Sequence, residues 1–181
     1  MSSPISFPDP TRDGASSPGN HTAGETGTEF SNGAHDTAAH ERVTITIEHE
    51  EKAVVDPERL SRLVTEIVAG EEKRLEAVNV VCGDHDLIRR LNRKYLEHDY
   101  NTDVLSFSLA ESSDIVEGEV YVDVDTAQER HDEFGESVEG EVARYVVHGV
   151  LHLCGYDDAT EEQAARMRDL EDGYLALHEN A

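Results

Sequence analysis

Residues 137–158 read SVEGEVARYVVHGVLHLCGYDD. Val138, Val142, Tyr145, Val146, Leu151 and Leu153 are among its apolar residues, and the pattern predicts one long helix over 137–153. His148 and His152 stand four apart near its C-terminal end, which sends both imidazoles out of one face, a turn apart. Gly155 offers a stop, and Asp158 beyond it can fold back towards that face. Two imidazoles and a carboxylate make a three-ligand metal site with a fourth position open, the arrangement of a catalytic zinc rather than of a closed structural one. Asp157, one residue earlier, is the rival for the third place. Histidines also fall four apart by chance, and buried ones usually just hydrogen-bond. Against that, this pair lies on an otherwise apolar helix, where unliganded imidazoles are costly to bury.

On the N-terminal side the signals alternate. Val43–Ile47 alternates strictly and predicts a strand. Asp56-Pro57 starts a helix that runs through Leu60, Leu63, Val64, Ile67 and Val68 to Gly70. Strands follow at 78–81, 104–109 and 118–124. Asp84 or Asp86 caps a helix with Leu87, Ile88, Leu91 and Tyr95 on its apolar face, and Asp125 caps a short helix ending near Gly135. Thr160 with Glu162 and Gln163 resembles a capping box for a last helix ending near His178. Four strands and about five helices, unevenly interleaved, predict an α+β domain: a small four-stranded mixed sheet packed with helices, one of them a zincin-like metal-bearing helix. There is no internal repeat.

Residues 1–40 are rich in Ser, Gly, Thr, Pro, Asn and Asp and cannot bury enough surface to offset their ordering entropy, so they are expected to be a disordered acidic tail. The histidines there, His21, His35 and His40, have no metal-site spacing. The functional domain is expected at 41–181. No run of about 18 apolar residues is present, so no membrane partner is expected. The N-terminus lacks a secretory pattern, and two cysteines, Cys82 and Cys154, are too few for a disulfide framework; a cytoplasmic location follows, with both thiols as small core residues. The net charge is −25, and lysine is scarce. Either the chain is adapted to a salty cytoplasm, where screening mutes self-repulsion, or it is an ordinary acidic protein. The same charge counts against a nucleic-acid partner, DNA above all.

The string His148-Gly-Val-Leu-His152-Leu-Cys-Gly-Tyr156, followed by an acidic helix start, resembles the signature of the YbeY family, endoribonucleases of bacterial ribosomal RNA maturation. Leu91-Asn92, then Tyr95, then Thr102-Asp-Val-Leu-Ser-Phe107 is similar to that family's central motif, and Gly118-Glu-Val-Tyr-Val-Asp123 to the strand after it. The blocks run in the right order across about residues 41–178. The resemblance implies an endoribonuclease holding one Zn2+ per chain, specific for single-stranded RNA, with 16S rRNA and the small ribosomal subunit as partners. Two departures stand out. The family's usual pattern is His, three residues, His, five residues, His, whereas the third position here is Asp158. Carboxylate oxygen binds zinc at about the same distance as imidazole nitrogen, and a branch of the family resembling this sequence carries Asp there. Most members also place an arginine implicated in activity directly after the tyrosine; here that position is Leu96, which cannot contact phosphate. Either another arginine substitutes, or the nuclease activity is weak or different.

A metal with an open position activates water near neutral pH, for attack on a phosphodiester or a peptide carbonyl. Metalloproteases with this helix geometry carry a glutamate base directly after the first histidine. Gly149 stands there, which ranks protease below nuclease. Asp103 is a candidate base, with a turn or cap aspartate as the alternative, and an RNA 2′-hydroxyl can serve as internal nucleophile instead. Ser106 and Phe107 read as strand residues that support the cleft. Arg89, Arg90, Arg93 and Lys94 form the one concentrated basic patch, a stripe of four-apart pairs that is either an RNA contact or a solvated helix face. Arg144, one turn before His148, can also point towards the metal end.

Overall fold

A computed structural model of the chain describes residues 42–50, 55–97 and 99–179, and all but three of their side chains (Leu96, Phe134 and Glu179). The expected tail lies outside the described residues. The elements are β1 (Val43–Ile47), α1 (Pro57–Gly70), β2 (Arg74–Gly83), α2 (His85–Leu96), β3 (Val104–Ser108), β4 (Ile115–Asp123), α3 (Val124–Phe134), α4 (Val138–Leu153) and α5 (Glu161–Glu179). The fold is α+β, a four-stranded mixed sheet with five helices, as expected.

The sheet order is β1-β2-β4-β3. β1, β2 and β4 run parallel, pairing Ile45 with Val80 and Val80 with Val120; β3 is the antiparallel edge, pairing Leu105 with Tyr121. Alternation divides β3 between two faces. Leu105 and Phe107 pack with Ile88 of α2 on one face. Val104 joins the larger core on the other, with Val120, Val122, Val146, Val147, Val150 and Leu151. These side chains are essentially water-free, and each contributes about 1.5–3 kcal/mol by its burial. α4 is the hub of that core, touching α1, α3, α5, β3 and β4.

The helix starts follow local chemistry. The Asp56 carboxylate accepts from the amides of Glu58 and Arg59, Ser137 caps α4 by accepting from the Gly140 amide, and Thr160 and Gln163 exchange reciprocal bonds before α5. α3 departs from expectation: its cap is Asp123, which accepts from the Thr126 amide, and not Asp125. The alternating run of β4 passes straight into the helix without a loop, so the strand's last residue is also the cap. β2 is also longer than expected. Its first four residues are largely exposed, and the buried apolar positions begin at Val78.

Candidate metal site

α4 ends at Leu153, and Gly155 turns the chain with a left-handed φ of 94°. The amides of Gly155 and Tyr156 donate to the carbonyls of His152 and Leu151, which folds the following loop back over the helix end. That turn gathers His148, His152 and Asp158, whose ligand atoms all lie within 4.8 Å of one another. The two imidazole Nε2 atoms are 3.0 Å apart, and Asp158 Oδ2 lies 3.7 Å from His148 Nε2. Asp157 is turned aside, its Oδ1 accepting from the Asp158 amide.

The imidazoles are oriented from behind. His148 Nδ1 bonds Glu171 Oε1 at 2.7 Å, and His152 Nδ1 bonds the Tyr156 carbonyl at 2.9 Å. Carboxylate and carbonyl only accept, so each Nδ1 carries the proton and each Nε2 offers a lone pair. Two lone pairs facing one another at 3.0 Å repel unless a cation or a proton lies between them. His152 is 3 % exposed. The donor set, two neutral imidazoles and a carboxylate, therefore fits a divalent metal with borderline-soft preferences. Burial opposes charge on His148, yet Glu171, Asp103 and Asp158 together hold its pKa above the ordinary imidazole value. Burial, then the neighbouring His148, pushes His152 down.

Glu171 carries no signature in the local sequence around the histidines. It sits 23 residues downstream on α5, nearly buried. Its signal was positional: it follows the buried Met167 by four residues, which puts an acid on the core face of the helix. Tyr156 is in turn anchored, its hydroxyl donating to Glu71, which also accepts from Tyr174.

His148 opens into a groove of ≈ 440 Å³ lined also by Asp103, Arg130, Glu141, Arg144 and Arg168. Asp103 is thus at the site, although its Oδ1 accepts from the Thr102 hydroxyl and the Val104 amide, as a turn aspartate does. Arg144 also faces the groove, among the carboxylates of Asp172 at 2.7 Å, Glu171 at 3.5 Å, and Glu136 and Glu141 at 4.0 Å. The basic stripe lies elsewhere, exposed on α2, the helix packed on the other face of the sheet. There Arg89 is paired with Asp99 at 2.7 Å, and Lys94 lies 4.7 Å from the centre of the Tyr95 ring. Ser106 supports α4 by donating to the Gly149 carbonyl, and Phe107 is buried against α2.

A second group, His85, Asp123 and Asp125, also brings its ligand atoms within 4.8 Å, with no spacing signal in the sequence. Its atoms are already committed to structure. Asp123 caps α3 and accepts from His85 Nδ1 at 2.7 Å, while Asp125 accepts from the His85 amide and pairs with His49.

Fold and site together define a small α+β protein whose central helix presents a candidate metal-ligand group at the mouth of a groove. The family model described as "Endoribonuclease YbeY" matches residues 44–178, and the chain belongs to that family. A relative from Salinibacter ruber, named endoribonuclease YbeY, is 50 % identical over 140 residues, spanning 72 % of this chain and 89 % of the relative. One of the same name from Chloroherpeton thalassium is 37 % identical over 135 residues, spanning 74 % and 94 %. A solution structure of a Thermotoga maritima protein superposes with a TM-score of 0.53 at 33 % identity, covering 74 % of this chain and 86 % of that one. Among the described residues no helix is long and apolar enough to cross a membrane.

Proposed function

We propose that the chain is an endoribonuclease that cleaves single-stranded RNA with one zinc ion per chain. We further propose that it matures the 16S rRNA of the small ribosomal subunit in the cytoplasm, and that residues 41–181 form the catalytic unit. One observation carries the metal reading: the two Nε2 lone pairs turned on each other at 3.0 Å, each imidazole fixed from behind by an acceptor. His148, His152 and Asp158 would hold the ion. When bound, it would supply Lewis acidity and activated water at neutral pH. Glu171 and the Tyr156 carbonyl orient the imidazoles, and Asp103, one of the carboxylates lining the groove, would move a proton. RNA as substrate rests on the family, and its ribosomal role on the resemblance of the motif strings.

The test is cleavage of single-stranded RNA by zinc-loaded protein in high salt, with and without a chelator. Chelation is expected to abolish cleavage, and added zinc to restore it. Binding without chelator-sensitive cleavage would instead favour a ribosome-assembly factor with a structural metal. Glu171→Gln keeps an acceptor for His148 Nδ1 but removes the charge. It is expected to weaken zinc affinity about 10–100-fold, read by competition with a chromophoric chelator. Unchanged affinity would remove Glu171 from this role.

A further inference from the structure

Among the described residues, the groove at His148 has Arg130 of α3 on one wall and Arg168 of α5 on the other, with α4 between. Its third cation, Arg144, is occupied by the four carboxylates around it. Arg130 and Arg168 are different. Both are exposed, and neither has a carboxylate at ion-pair distance among the described residues. In a chain with 40 acidic residues against 15 lysines and arginines, guanidinium groups left unpaired beside the site are informative. Arg130 also lines a second groove, of ≈ 280 Å³, which runs past Asn101 and Thr102 to His85. The two grooves share Asp103 and Arg130, so they form one track that leads away from His148.

We propose that Arg130 and Arg168 form a phosphodiester-binding subsite, one guanidinium on each wall, which holds the backbone of a single RNA strand beside His148. This rests on the reading of the chain as an RNA-cleaving enzyme. A guanidinium presents a planar fork that grips phosphate oxygens in pairs, and it is charged at any working pH. The contact needs no basic surface overall: two local cations suffice where high salt screens the distant acids. The subsite also answers the departure at position 96, because it places arginine charge at the metal-bearing groove from other helices.

The experiment uses full-length, zinc-loaded protein and a labelled oligouridine, with binding followed by fluorescence anisotropy across a salt series. Arg130→Gln and Arg168→Gln are each expected to weaken binding roughly tenfold at low salt. Each is also expected to reduce the slope of log affinity against log salt by about 0.7. Zinc content should be unchanged. Arg62→Gln, an exposed arginine in a groove between β1 and α1, serves as the control and should leave affinity and slope as they are. Wild-type affinity in both groove variants, an equal loss in the control, or no binding of oligouridine by the wild type would each overturn the subsite. Cleavage is scored separately. Arginine-dependent binding without cleavage would sink the nuclease reading and leave the subsite standing; cleavage with arginine-independent binding would do the reverse.

Discussion

Replacing His152 by alanine is expected to remove bound zinc and RNA cleavage together. In the proposed site His152 would contribute one of three donors; its Nε2 lies 3.0 Å from that of His148, and its ring is locked by the Tyr156 carbonyl. Without it, one imidazole and one carboxylate remain, too few to hold zinc at cellular concentrations. Lewis acidity and water activation are worth several kcal/mol of transition-state stabilisation. At about 1.4 kcal/mol per decade, cleavage should fall by roughly a thousandfold or more. The substitution also leaves a small hole and an unpaired carbonyl, at a cost of about 1–3 kcal/mol, so far-UV circular dichroism and the Tm must accompany the assay. Elemental analysis gives the direct reading: near one zinc per chain in the wild type and little in the variant. Equal zinc in both, with the fold intact, would rule out this site. Asp158→Asn provides a second arm, because it removes a charge from the partly buried loop carboxylate at nearly unchanged shape.

The histidine pair and Asp158 were legible because they are local: one helical turn plus the stop that follows sets their geometry, and sequence spacing reports both. Glu171 was not, because it reaches His148 through the packing of α5 on α4, and no periodicity in one helix states which partner it will meet. The cap of α3 failed for a related reason. Asp123 and Asp125 are both plausible caps by composition, and only the close of the strand at Asp123 decides between them. Strand existence was legible wherever one face was apolar. Strand order was not: that β4 lies between β2 and β3 is a matter of long-range pairing. The basic stripe marks an exposed face of α2, whose inner side packs with Leu105 and Phe107 and whose first residue, His85, lines the groove that runs past Asn101 and Thr102.

Gly149 gives the largest expected effect on folding. The sequence raised it as the place where a metalloprotease carries its glutamate base. The structure shows that this position does not face the groove at all. It meets the sheet, where an added Cβ would lie 2.5 Å from Val120 Cγ1 and 3.0 Å from both Ser106 Oγ and Val104 Cγ2. The glycine allows α4 to press on β3 and β4, and the Ser106 hydroxyl reaches its carbonyl at 3.0 Å. Gly149→Ala should therefore cost about 1–3 kcal/mol by overpacking, although alanine is the better helix former. A melting temperature several degrees below wild type would show it. Because His148 precedes it directly, any outward shift of α4 also moves the ligand, so zinc affinity should fall with stability. Gly149→Glu, which writes in the protease residue, would force a carboxylate between helix and sheet with no partner. It is expected to prevent folding rather than to confer peptidase activity. A folded, stable Gly149→Glu protein would mean that the helix stands further from the sheet than these distances say, and would reopen the protease reading.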